Sequence, residues 1–166
     1  MNNLRGLLKE EDKKKTRKKT PAAKKLYAKP DSIIKLQEEY LRWRMAQGED
    51  CSQPNTAIFA DSSANELTKA IVAHIYCHGG FAARVNSTGT YKQNEGRYIL
   101  SGSRNGMADV NACIGGKHIQ IEVKFGSDRP RPAQLQVQKE VISAGGQYIF
   151  VKTFDDYLSK STGFFI

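Results

Sequence analysis

The chain has 166 residues, with 26 Lys and Arg against 17 Asp and Glu for a net charge of +9, and three cysteines. That length suits one domain with a modest core plus an appendage. There is no apolar run of about 18 residues and no signal-like segment, so a membrane span and a secretory leader are not expected. Cys51, Cys77 and Cys113 form no pattern, which argues against a disulfide framework and fits a soluble protein of a reducing, cytoplasmic compartment.

Residues 1–29 hold eleven Lys or Arg and three acids, which is +8 of the total +9. So like-charged a segment, poor in hydrophobes, buries too little apolar surface to offset its ordering entropy, and a disordered basic arm is expected. Its densest cluster is Lys14, Lys15, Arg17, Lys18 and Lys19. The arm can neutralise nucleic-acid phosphates without reading sequence, or serve as a solvated tail or localisation signal.

Residues 30–61 read as an amphipathic helix and a linker. The helix opens at Pro30, Asp31 or Ser32, places Ile33, Leu36, Tyr40 and Trp43 on one stripe with Ile34, Leu41 and Met45 adjoining, and stops at Gly48. This stripe is expected to pack on the core or on a second copy of the chain, and Trp43 is read as packing rather than base stacking. Residues 49–61 follow as a loop.

A second helix runs from Ala64 to His78, with Leu67, Ala70, Ile71, His74 and Ile75 inward. Ser63-Ala64-Asn65-Glu66 has the form of a capping box, which accounts for Glu66 by itself. His74 and His78 share a face and Cys77 is adjacent, but no further ligand pair stands nearby, so no zinc site is expected there. Beyond it the chain reads as a strand at 81–85, a long polar loop at 86–96 and a strand at 97–100. Arg84, Lys92, Arg97 and Arg104 along this stretch either grip phosphates or are ordinary surface charges.

Asp109 to Ile114 reads as a strand, and Gly115-Gly116 as the two-residue turn that folds it back onto Lys117 to Val123. The run Ile119-Gln120-Ile121-Glu122-Val123-Lys124-Phe125 alternates, so Glu122 and Lys124 share one face while Ile121, Val123 and Phe125 share the other. The hairpin brings Asp109 near Glu122. A helix then opens at Pro132-Ala133-Gln134 and ends at Ala144 to Gly146. Gln147 to Val151 forms another strand, and the chain continues through Leu158 as a short helix.

Two carboxylates and a lysine on one small sheet have a specific chemistry. Mg²⁺ takes oxygen ligands at about 2.0–2.1 Å and keeps several waters, which one or two carboxylates plus a substrate phosphate supply. Asp109, Glu122 and the carbonyl of Val123 suit such an ion, and Lys124 beside them can position water or stabilise developing negative charge. The competing reading is an exposed Glu-x-Lys ion pair, worth about 0–1 kcal/mol.

The whole arrangement resembles the VRR-NUC branch of the PD-(D/E)XK nuclease superfamily, in its stand-alone phage and bacterial form. The matching parts are Gly106 to Asp109, Glu122 to Lys124, Pro132-Ala133-Gln134 and the Gly145-Gly146 turn before 147–151, with Arg84-Val85-Asn86-Ser87-Thr88-Gly89 upstream. The likeness spans about residues 62–158, within a nuclease-like domain at 62–166. It implies an α/β fold with a restriction-endonuclease-like αβββαβ core, a mixed sheet flanked by helices. It also implies Asp109, Glu122, Lys124, Gln134 and Glu66 as catalytic residues, and Mg²⁺ or Mn²⁺ as cofactor. Gln134 has the alternatives of contacting a backbone phosphate or hydrating a helix start, and Glu66 that of a cap alone. Arg84, Asn86, Lys92, Arg97, Arg104 and the arm would bind nucleic acid.

The resulting expectation is a divalent-metal-dependent endonuclease acting on DNA, branched DNA included, and structure-selective in the manner of Holliday-junction resolvases. It would act as a homodimer without a membrane, in the host cytoplasm if phage-encoded. The competing expectations are a nicking or end-processing nuclease of repair and recombination, and a non-catalytic DNA-binding or packaging module on the same fold.

Overall fold

The computed structural model describes residues 27–51, 59–85, 90–99 and 102–165. Asn86 and the cluster Lys14 to Lys19 lie outside the described residues, as does the expected arm apart from 27–29. The fold is α/β, with a mixed four-stranded sheet flanked by helices.

Helix α1 spans Asp31–Ala46 and follows Pro30, whose carbonyl accepts the amides of Ile33 (3.1 Å) and Ile34 (3.2 Å). Its Ile33 and Leu36 are fully buried in the main core together with Phe59. Burial of each such side chain is worth roughly 1.5–3 kcal/mol, enough to hold α1 against the rest of the chain. Trp43 stacks between Tyr40 (5.6 Å between centroids) and Tyr76 (6.2 Å), a packing role as expected from its position on the stripe.

Helix α2 (Ala64–Cys77) begins at the Ser63 cap and leads into β1 (Phe81–Arg84). The segment read as one polar loop holds a separate two-stranded ribbon, β2 (Thr90–Lys92) against β3 (Arg97–Ile99) around a 3-10 turn at Gln93–Glu95. Gly96 closes that turn in the left-handed region at φ 59°, which lets polar residues make a tight reversal. β3 therefore pairs outside the main sheet.

Strand β4 (Val110–Ile114) and strand β5 (Lys117–Val123) form the expected hairpin, with Val110 opposite Ile121 and Ala112 opposite Ile119. Gly115 and Gly116 both have positive φ, 54° and 75°, as a primed two-residue turn demands. Helix α3 (Pro132–Ser143) crosses over to β6 (Gln147–Val151), which lies parallel to β5, and α4 (Phe154–Ser161) closes the described fold. The sheet order is β1-β4-β5-β6, so α2-β1-β4-β5-α3-β6 reproduces the expected α-β-β-β-α-β succession with the β2–β3 ribbon inserted.

The sheet is covered on both sides. Ile119, Ile121 and Val123 of β5 join Val110, Ala112 and Ile114 of β4 in the main core beneath α1, α2 and α4. On the other face Ala108, Val137 and Tyr148 form a smaller core under α3. Phe125, expected to share the packed face, is exposed because β5 ends at Val123 and the chain turns away.

Candidate active site

Residues of the proposed constellation gather where β4 begins and β5 ends, under the first turn of α3. Asp109 stands just before β4. Its carbonyl accepts the Val85 amide (2.8 Å), which ties it to the exit of β1, and its Oδ2 accepts the Val123 amide (2.9 Å). Alternation along β5 turns Gln120 and Glu122 toward α3, opposite the Ile119, Ile121 and Val123 face. Lys124 follows β5 directly, and its amide donates to the Val151 carbonyl of β6 (2.7 Å).

Lys124 Nζ lies 3.0 Å from Glu122 Oε1, with the side chains only 2% and 6% exposed. This removes the reading as an exposed surface pair. Taking two charges out of water costs several kcal/mol per ion, and that cost is matched only by excellent geometry and further hydrogen bonds. Gln134 supplies one of these: its Nε2 donates to Glu122 Oε1 (2.5 Å) while its Oε1 accepts the Arg131 amide (2.9 Å). Gln134 thus does more than start its helix; it fixes a carboxylate on the sheet below. Lys124 Nζ also donates to Asp128 Oδ2 (3.3 Å), and this holds the Asp128 carboxyl below its usual range.

Two consequences follow for Glu122. Both donors meet Oε1, and among the described residues none is directed to Oε2. Burial, and then the nearby charge of Asp109, push its carboxyl upward against the opposing pull of Lys124 and Gln134. A cation shared with Asp109 would relieve both effects, and Asp109 likewise has one oxygen engaged and Oδ1 remaining. The donor set therefore fits a hard divalent ion, with the Val123 carbonyl on the intervening residue as a third oxygen.

Gly106 holds this corner together. Its φ is +88°, and a Cβ there would sit 2.4 Å from the Ala133 carbonyl oxygen, so only glycine lets the loop before Asp109 press on the first turn of α3. Tyr148 Oη donates to the Gly106 carbonyl (3.3 Å), and burial, Glu122 and Asp109 raise its phenol. Tyr148 was not legible as a site neighbour: period-2 alternation marks two faces of β6 but not which one meets α3.

Glu66 is placed differently. Its amide donates to Ser63 Oγ (3.2 Å), which forms the first half of the expected capping box. Its charge is felt at Tyr27, while the charges acting on Glu122 are those of Asp109 and Lys124. Only the Ser63 half of the box is formed: no bond from the Glu66 carboxylate to the Ser63 amide, and no contact from Glu66 to Asp109 or Glu122, is present among the described residues.

The expected phosphate-gripping cations are engaged with protein partners. Arg84 donates to Asn65, Lys92 (3.0 Å) and Arg97 (2.7 Å) both pair with Glu95, and Arg104 pairs with Glu140 (2.6 Å). Glu140 is drawn down to about 2 by Arg104 and then Gln136. A cleft of about 420 Å³ beside Lys124 is lined by Arg129, Lys152, Lys160 and Phe150 together with Asp128 and Asp156, the last of which pairs with Lys160 (2.9 Å). Among the described residues no ion pair engages Arg129 or Lys152, and neither stood out in sequence, because no motif marks either position.

A second group lies on the other side of the sheet. Glu39 of α1 and His74 and His78 of α2 each offer a ligand atom, all within 4.8 Å of one another, so these three can hold a metal ion. Sequence spacing exposes the two histidines but not Glu39, which is 35 residues upstream of His74 on another helix. Cys77, the other neighbour considered, is not one of these three; burial, and then the charge of Glu39, push its thiol up to about 11.

Comparison with protein-family models and with curated proteins returns no match. No helix among the described residues is long and apolar enough to cross a membrane.

Proposed function

We propose that this protein is a divalent-metal-dependent endonuclease that hydrolyses phosphodiester bonds in DNA, using Mg²⁺ or Mn²⁺ at Asp109, Glu122 and the Val123 carbonyl. The observation that carries the reading is the buried Lys124–Glu122 pair locked by Gln134 beside Asp109. When bound, the ion supplies Lewis acidity toward the scissile phosphate and lowers the pKa of an attacking water.

The chain's own residues do the remainder. Gln134 and Lys124 fix Glu122 by one oxygen and leave the other without a donor among the described residues. Lys124 Nζ, held between Glu122 and Asp128, offers a third proton to a water or to the developing phosphate charge. Arg129 and Lys152 along the adjacent cleft attract the backbone on one side of the cut. The arm adds sequence-independent affinity through its +8 charge. Among the described residues no element presents a set of side chains suited to base edges, which favours a substrate recognised by shape, a four-way junction, cut by a two-fold dimer with one site per strand.

The test is cleavage of a labelled panel of linear duplex, flap, splayed arm and four-way junction by wild type and Asp109→Ala in Mg²⁺ or Mn²⁺. Metal-dependent cuts by wild type alone, strongest on the junction, are expected. Absence of cuts on every substrate, or equal cutting by Asp109→Ala, overturns the enzyme reading. Preference for flaps or ends overturns the junction and leaves the nuclease.

A further inference from the structure

The cluster on α1 and α2 has a chemistry of its own, distinct from the oxygen-only set at Asp109 and Glu122. His74 is buried on α2, and His78 is exposed one turn later with its ring stacked on that of His74 at 4.2 Å. Each histidine commits Nδ1 to the protein. His78 Nδ1 lies 2.9 Å from the His74 carbonyl, which can only accept, so this nitrogen carries the proton. His74 Nδ1 lies 3.1 Å from Tyr157 Oη of α4, where it can donate in the same way. In His78, and in His74 with Tyr157 as acceptor, Nε2 is the nitrogen with a free lone pair. A carbonyl or hydroxyl holding the far side of an imidazole is the usual support of a metal-bound histidine, because it sets tautomer and ring orientation together.

Glu39 completes the set from the facing helix. Among the described residues no ion pair links its carboxylate to Lys, Arg or either imidazole, although its ligand atom lies within 4.8 Å of theirs. Direct hydrogen bonding therefore does not explain the approach. A tetrahedral ion with bonds of about 2.0–2.1 Å separates its ligands by about 3.3 Å, and rotations of half-exposed Glu39 and exposed His78 span the difference. The cluster borders a cavity of about 430 Å³ lined by Glu39, His74 and Phe154 with Lys35 and Asp155 of opposite charge, which gives an ion and its water a way in.

We propose that Glu39, His74 and His78 bind a zinc-class cation, with water as fourth ligand, and that this ion clasps α1 to α2. Two imidazoles and one carboxylate suit zinc better than magnesium, since nitrogen donors match the borderline-soft ion. The ion bridges helices whose described contact is otherwise apolar packing around Ile33, Leu36 and Tyr40.

The experiment uses the full chain stripped with chelator, titrated with Zn²⁺ against a competing indicator, with Tm measured in parallel and Co²⁺ as a spectroscopic substitute. Wild type is expected to bind one equivalent, to give the visible absorption of four-coordinate Co²⁺, and to gain roughly 5–10 °C in Tm at about a hundred times Kd. His78→Ala and Glu39→Gln, both outside the packed core, should weaken binding at least tenfold while keeping the metal-free Tm. Asp109→Ala should bind zinc as wild type does, which separates this site from the nuclease centre. No Tm gain in wild type, unchanged binding by His78→Ala, or loss of binding in Asp109→Ala overturns the proposal.

Discussion

The buried Lys124–Glu122 pair is expected to be costly to half-remove and cheap to remove whole. Lys124→Met leaves Glu122 inside the fold with Gln134 as its remaining donor, and breaking a buried pair in this way costs about 3–5 kcal/mol. The lower end applies here, because burial and Asp109 already raise the Glu122 carboxyl and it can escape the penalty by taking a proton. The second partner, Asp128, is 45% exposed, so its loss adds about 0–1 kcal/mol. Glu122→Gln combined with Lys124→Met leaves a neutral amide that still accepts from Gln134 Nε2 and a flexible apolar chain in place of the lysine. That double variant should recover to within about 1 kcal/mol of wild type, or exceed it, because the desolvation of two charges is gone. Urea unfolding of wild type, both singles and the double gives the coupling energy, and cleavage assays on the same samples give function. All three variants should be inactive. If the double variant is as unstable as the two singles summed, the two side chains are not energetically coupled and the reasoning from a mutually compensating buried pair fails.

Other outcomes follow from the same geometry. In the absence of metal, the raised Glu122 carboxyl means that the folded state binds the proton more tightly than the unfolded chain. Its unfavourable contribution is therefore absent at low pH and grows as pH rises through the folded value, above the ordinary 4.5. Glu122→Gln carries the cost of leaving Lys124 with Asp128 alone, but its stability relative to wild type should improve as pH rises from 4 to 8, as read by thermal melts; a difference constant with pH contradicts it. His74 works in the opposite direction, since burial and then His78 bring it to about 4. Its contribution is complete above the unfolded value near 6.5 and is lost as pH falls to about 4, on the order of 3 kcal/mol, which His74→Gln should abolish from the pH profile. Gly106→Ala should cost about 2–5 kcal/mol through its positive φ and the backbone clash at Ala133, and lower activity by moving Asp109, whereas Gly102→Ala, with open space around it, should change neither by more than about 0.5 kcal/mol. Removing residues 1–26 should weaken DNA binding and flatten its salt dependence without altering where the DNA is cut; an unchanged salt slope places the affinity elsewhere.

Much of this molecule is local in origin. The stripe from Ile33 to Trp43, the Ser63 cap, the Gly115-Gly116 reversal and the alternation through Ile119 to Val123 are short-range patterns, and each becomes the element it implies because backbone geometry has period 3.6 or 2. That reach extends to which side chains share a strand face, and so to the pairing of Glu122 with Lys124. It does not extend to how deeply they sit. A Glu-x-Lys strand is legible from spacing, but only the parallel docking of β6 and the cover of α3 turn it from a surface pair into a buried one with Gln134 overhead. The same holds where the reading differed from the fold. The polar stretch after β1 contains no strong hydrophobic period, yet Thr90 to Lys92 finds Arg97 to Ile99 and makes a ribbon outside the main sheet. Arg104 and Arg97 read as free cations until Glu140 and Glu95 arrive beside them. Glu39 meets His74 and His78 because α1 lies along α2, an encounter set by the burial of Ile33 and Leu36 rather than by anything near Glu39 in the chain. Sequence alone determined the helices and the β4–β5 hairpin, most of their faces and the chemically distinctive residues, since those depend on neighbours a few positions away. Burial, partner identity and the charge state of Glu122 were decided by tertiary structure, because they depend on what the rest of the chain brings into contact and on how much water it excludes.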